Sequence, residues 1–331
     1  MEKCMLIPYA INSNKDPETF RYMLNDPYHN FFMLDFYKNG DSDKPFREDV
    51  VCEDMKLCRE HGKIATVSFG RYIFEKNDAP YHAPLKENWR EIVDEINEVM
   101  TEIGGEAFIG YSFDEPFYYM TGDEYLEMTK YISKFGKRIF AIHASVHIHM
   151  ALWPVNESHD FKSVAFRNMS HITPENHAYT TDVSYDYYGE WEHGVHHNTV
   201  YRLFIERMGD RFEKTKFWFT PPIGTVMRKW VDIPSEECEQ ICIDIFMGFW
   251  NWAKDIKNFG GFIIYTYLNY ICRDGSSHGN ARAYLLPDEN GNIKWQKMHS
   301  ILDTIGKGFL EGKHPSEIEL PDVPYDKGYI V

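Results

Sequence analysis

The heptapeptide GYSFDEP at 110–116 decides how this chain is read. It ends an apolar, strand-like run, AFIGYSF at 107–113, and delivers two adjacent carboxylates, Asp114 and Glu115, followed by a proline. Strand alternation places Gly110, Ser112 and Asp114 on one side, and Glu115 arrives as the chain leaves the strand. A strand that stops at a polar pair and leads into a helix is the unit of a parallel α/β sheet. Working outward, seven more such runs occur: CMLIPYA at 4–10, FFMLDFY at 31–37, IATVSFG at 64–70, RIFAIHA at 138–144, AYTTDVSY at 178–185, KFWFTPP at 216–222 and GFIIYTYL at 261–268.

Helical patterns follow most of these runs. Leu85, Trp89, Ile92, Ile96 and Val99 recur at three to four residues and form one apolar face. A helix around Tyr125 to Phe135 is preceded by Thr121 and Asp123, which suit a cap. Another begins after Pro234-Ser235-Glu236, and a last one carries Ile301, Ile305 and Phe309 before Gly312. Residues 149–177 hold only a weak fifth helix among Pro, Asn, His and Ser. Eight strand-helix pairs in order, with no GxGxxG after the first strand, favour a single closed (β/α)₈ TIM barrel over an open doubly wound sheet. The barrel is expected over 1–313, with 314–331 as an extended tail that packs on it or trails from it.

Composition is compatible with that fold. Of 331 residues, 43% are hydrophobic and 26% charged, enough to build an ordinary core, and aromatics reach 16%. A formal charge of −16 with no local Lys/Arg cluster argues against nucleic acid or an anionic membrane as partner. No stretch has membrane-spanning length, and the opening MEKCMLIPYA lacks the features of a signal peptide, so a cytoplasmic location is expected unless a leader has been removed. Six cysteines show neither disulfide nor metal spacing; Cys238 and Cys242, four apart on a helix, read as small buried hydrophobes.

A parallel barrel gathers its strand C-termini on one face. Glu115 and Asp114 are expected there as the catalytic pair, with Asp182 as a third carboxylate that holds a substrate hydroxyl, positions a group near the reacting carbon or acts as a general base. Asp35, Arg71, His143, Tyr185, Asp186, Trp218, Tyr265, Tyr267 and Asn269 are expected to bind substrate. Neighbouring carboxylates raise each other's proton affinity, so one can stay protonated near neutral pH while the other is charged. Glu115, with the longer reach, is read as general acid and Asp114 as the orienting group. The seventh run, KTKFWFTPPIGTVMRKW, contains no Asp or Glu, which argues against a carboxylate nucleophile on that strand.

An adjacent Asp-Glu pair ending the fourth strand resembles the substrate-assisted β-N-acetylhexosaminidases and the related N-acetylgalactosaminidases. That resemblance implies a glycoside hydrolase in which Asp114 orients the 2-acetamido group and Glu115 protonates the leaving oxygen. It also implies an aromatic wall, for which Trp218, Tyr265 and Tyr267 are the candidates. A carbohydrate substrate is expected, and neither cofactor nor resident metal is required. Two alternatives remain. One is a metal-dependent hydrolase using His143 and Asp182, with His147 and His149 nearby. The other is a barrel that binds glycan without cleaving it.

Overall fold

The computed structural model describes residues 3–9, 13–14, 16–34, 46–74, 85–144, 171–186, 197–223, 235–265, 270–271, 277–278 and 281–326. In chain order the elements are β1 (Met5–Pro8), α1 (Pro17–Asn25), β2 (Phe31–Leu34), α2 (Val50–Glu60), β3 (Ile64–Val67), the single turn α3 (Gly70–Ile73), α4 (Trp89–Gly104) and β4 (Phe108–Asp114). There follow α5 (Gly122–Ser133), β5 (Arg138–Ala144), β6 (Asp182–Asp186), α6 (His197–Met208), β7 (Lys216–Thr220), α7 (Ser235–Ala253) and β8 (Phe259–Ile264). A small hairpin of β9 (Tyr270–Ile271) and β10 (Ser277–His278), then α8 (Ala281–Leu285) and α9 (Gln296–Leu310), complete the set.

The eight main strands form one parallel sheet in the order β1-β8-β7-β6-β5-β4-β3-β2. A parallel bridge between Leu6 and His29 brings its two ends together. This is the expected (β/α)₈ barrel. Alternation along each strand sorts side chains into two compartments. Ile7, Phe31, Met33, Phe140, Ile142, Trp218 and Ile263 fill the interior. The opposite parity, including Leu6, Phe32, Tyr111, Ala141 and Phe217, packs under the helices.

The helices form where the pattern places them. In α4, Trp89, Ile96 and Val99 are buried on one face, whereas Leu85 lies before the helix in a bridge with Phe74. The α5 cap is a reciprocal box: Thr121 Oγ1 accepts from Glu124 N (3.2 Å), and Glu124 carboxylate accepts from Thr121 N (2.7 Å). Cys4, Cys52, Cys58, Cys238 and Cys242 are buried and not in disulfides. Up to Asp326 the tail lies along α7, where Gln240 donates to Pro324 O (2.8 Å) and Asp244 accepts from Asp326 N (2.9 Å). Among the described residues, no helix is long and apolar enough to cross a membrane.

One boundary differs from expectation in a way that matters for the site. The sixth strand begins at Asp182, not near Ala178. The preceding residues close into turns, with Ala178 N bonded to Glu175 O (3.1 Å) and Thr180 N to His177 O (3.1 Å). Most of the weak fifth helix, through residue 170, lies outside the described residues.

Candidate active site

The register of the sheet shows which residues share a height at the barrel mouth. Asp114 pairs with Ile142, Ile142 with Ser184, Ser184 with Trp218, Trp218 with Gly261 and Gly261 with Met5. Yet the β1-side residue that touches Asp114 is Tyr9, four positions above Met5, whose hydroxyl donates a hydrogen bond to Asp114 Oδ2. The sheet therefore climbs by about one residue per strand, the stagger of a closed eight-stranded barrel. Two strands on from Asp114 the climb reaches Asp186 on β6. Four strands on it reaches Tyr265, just past β8. Ring centroids of Tyr265 and Tyr9 lie 5.0 Å apart, as that placement requires. Alternate strands thus contribute Asp114, Asp186 and Tyr265 to one layer at the mouth.

Beneath this layer a small cavity is lined by Tyr9, Met33, Leu34, Ser68, Ser112, Asp114 and Ile142. Thr220 ends β7 and shares a hydrogen bond of 2.7 Å with Ser184.

Glu115 stands directly above the wall. Its backbone is left-handed, with φ 47° and ψ 51°, and among the described residues it is the one non-glycine with positive φ. That conformation costs a non-glycine residue roughly 1–2 kcal/mol, so the surroundings must impose it. Glu115 N donates to Ile142 O on the adjacent strand (2.7 Å), and Pro116 opens a 3₁₀ turn over Pro116–Tyr118. The turn takes Glu115, which is half-buried, out of strand alternation directly after Asp114, the last residue of β4.

Several expected site residues lie elsewhere. Asp182 is the first residue of β6, at the opposite end from the mouth and only 1% exposed. Its carboxylate pairs with Arg138 and accepts from Trp218 Nε1 (2.9 Å) and Thr181 Oγ1 (2.7 Å). It closes the barrel floor, out of reach of a substrate at the mouth. Trp218 belongs to the same floor: fully buried, it packs on Phe31 and Phe140 with centroids 5.7 and 5.3 Å away, so it forms no sugar-facing wall.

His143 and Tyr185 have outward parity and are fully buried under the helix layer. Tyr185 packs on Phe204 and Phe217, and His143 bonds to His177. Neither faces the mouth. His143 and Asp182 also sit on opposite sides of the wall and at opposite ends, so they cannot share a metal ion. Among the described residues no group of three or more His, Cys, Asp or Glu is arranged to hold one. Arg71 falls in α3, and its side chain, like Asp35, His147, His149, Tyr267 and Asn269, is outside the described residues.

The residue that the sequence reading missed is Tyr9. Its signal was present, because Tyr9 continues the inward parity of Met5 and Ile7 in MLIPY.

No known family model matches the sequence, and no curated protein matches it. Solved structures do resemble the fold. The glycoside hydrolase family 30 subfamily 8 xylanase Xyn30A from Clostridium acetobutylicum superposes over 93% of this chain and 71% of its own, at 10% identity and a TM-score of 0.51. A protein of Bacteroides thetaiotaomicron VPI-5482, whose description proposes an alpha-L-fucosidase, superposes over 94% of this chain and 96% of its own, at 12% identity and a TM-score of 0.51. At such identities the likeness shows the barrel.

Proposed function

We propose that this protein is a glycoside hydrolase, with Glu115 as general acid and Asp114 as the carboxylate that orients the reacting group. The observation that carries the reading is the shared mouth layer of Asp114 and Asp186, with Glu115 held just above it in a strained conformation. Strain of this kind clusters where a side chain must be aimed, and paired carboxylates at a barrel mouth are the working parts of glycosidic cleavage. The descriptions of the two similar structures name glycosidases, which agrees with this reading.

The chemistry follows from what each group offers. Glu115 donates its proton to the glycosidic oxygen as the bond to the anomeric carbon breaks. Asp114, fixed by the Tyr9 hydroxyl, accepts a hydrogen bond from a substrate 2-acetamido N–H, and the acetamido oxygen attacks the anomeric carbon. Water, deprotonated by Glu115, then opens the resulting ring and returns the proton. Thr220 rather than a carboxylate at the end of β7 supports this substrate-assisted route. The small cavity beneath Asp114, walled by Met33, Leu34 and Ile142, has room for a methyl-sized group. Asp186 is assigned to substrate hydroxyls and Tyr265, with Tyr9, to the apolar face of a sugar ring. Asp182 has no part in the reaction.

Release of reporter from a panel of aryl glycosides, with wild type, Glu115→Gln and Asp114→Asn in chelator-treated buffer, tests the proposal. The expected result is turnover of an N-acetylhexosaminide that falls by about 10²–10⁴-fold in Glu115→Gln. Undiminished turnover in Glu115→Gln would remove the acid assignment. Turnover confined to sugars without an acetamido group would replace the substrate-assisted route by another glycosidase mechanism. Ligand retained unchanged by every form would favour a noncatalytic carbohydrate-binding barrel.

A further inference from the structure

We propose that two buried histidines, His143 and His177, together with Phe117, form a buttress on the outer side of the barrel wall that holds Glu115 in its left-handed conformation. The inference rests on the reading of Glu115 as general acid, and concerns positioning residues that touch no substrate.

Glu115 is anchored on both sides. Before it, the bond from Glu115 N to Ile142 O ties it to β5. After it, Pro116 opens the 3₁₀ turn, and Phe117 is fully buried between β5 and α5. There Phe117 lies parallel on the His143 ring, with centroids 5.4 Å apart and planes at 16°. Tyr125 and His177 meet it edge-on at 5.3 and 6.0 Å. His143 is the residue next to Ile142, so one strand end supplies both the carbonyl that receives Glu115 N and the ring that receives Phe117.

The two imidazoles are fully buried and only 2.9 Å apart through their Nε2 atoms. Their protonation follows from the outer end of the chain of bonds. Thr173 O, 2.8 Å from His177 Nδ1, can only accept, so Nδ1 carries the hydrogen. In the neutral ring, His177 Nε2 is then an acceptor, and His143 Nε2–H donates to it. Apolar side chains would fill this volume with no polar group to satisfy. A directional bond between two rings does something that they would not: it fixes the plane of His143, and with it the surface on which Phe117 seats. The order of support is Thr173, His177, His143, Phe117, Glu115.

A displaced general acid has a kinetic signature that simple destabilisation lacks. Glycosides with a good leaving group, such as 2,4-dinitrophenyl, need little protonation, whereas alkyl or unactivated aryl glycosides depend on it. In the full chain, His143→Leu and His177→Leu are expected to lower kcat on a poor leaving group by about 10–100-fold. KM should stay within about twofold, and turnover of the dinitrophenyl glycoside should be largely spared. His143→Gln, which returns an N–H at the position of Nε2, should recover most of the loss. Equal loss on both substrates, or none, would overturn the proposal.

If wild type cleaves no glycoside, the functional reading fails, but the buttress is still testable by crystallography of His177→Leu. The buttress requires Glu115 to leave positive φ and Phe117 to shift. An unchanged Glu115–Phe117 conformation would refute it.

Discussion

Single side chains in this barrel carry electrostatic burdens that a pH series exposes. Asp54 on α2 is fully buried; one carboxylate oxygen accepts from Ser13 N (3.3 Å), and the other has no hydrogen-bond partner among the described residues. Burial pushes its pKa up to about 6. A group whose folded pKa lies above its unfolded value favours the fold while protonated, so this contribution is present below about pH 4 and lost as pH rises through 6. Asp54→Asn should therefore stabilise the protein at pH 7.5 by roughly 1–3 kcal/mol and leave it little changed at pH 4. Urea melts at the two pH values measure both, and a variant less stable than wild type at pH 7.5 would contradict the account. The candidate site residues are legible to different degrees at this scale. Asp114 and Glu115 stood out because charge ended an apolar strand. His143 and Tyr185 misled because polarity near a strand end was read without parity: Arg138, Phe140 and Ile142 point inward, which leaves His143 outward.

At the scale of elements, the segment 171–181 shows what pattern reading loses. The pattern assigns its last four residues to the sixth strand, because Ala178, Tyr179, Thr180 and Thr181 suit strands as well as turns. The turns prevail because the backbone has other partners: Arg211 donates to His177 O (2.8 Å) and Thr180 O (2.7 Å). This later start puts Asp182 at the floor instead of the expected site and leaves Asp186 at the C-terminal end of β6, where it is expected. Helices α4 and α5 were legible because their periodicity and caps are local. The segment also carries a pH dependence of opposite sign to that of Asp54. Burial, aided by the positive charge of Arg211, lowers the His177 pKa to about 4. Its folded value lies below the unfolded one, so the neutral ring contributes stability above about pH 6.5, and that stability drains as pH falls toward 4. The amount is on the order of 3 kcal/mol. Between pH 6.5 and 4 wild type should lose stability relative to His177→Leu, as read by the difference in their melting curves. Parallel curves would mean that the ring is not held neutral by the fold.

For the whole molecule, closure was legible because eight strand-helix units repeat in order and a closed barrel leaves no open sheet edge. Depth inside the barrel was not, since it depends on stagger that no single strand encodes. Trp218 and Asp182 are the consequence. Both have inward parity, as a mouth residue must, but stagger sends them to the floor, where Arg138 (19% exposed) meets Asp182 (1% exposed). An ion pair so placed is a poor source of net stability, yet leaving one partner alone in the interior is costly, about 3–5 kcal/mol. Asp182→Asn removes the charge that the Arg138 guanidinium pairs with at the floor, whereas a catalytic base lost at the mouth would spare the fold. The floor reading therefore predicts that Asp182→Asn lowers the unfolding free energy by several kcal/mol, about 3 or more. Its kcat per folded molecule on a cleaved glycoside should remain within about threefold of wild type. Denaturant unfolding and active-site titration on the same preparation separate the two. A fall in kcat with stability intact would return Asp182 to the reaction and would mean that the sheet stagger inferred from Tyr9 and Asp114 does not hold around the barrel.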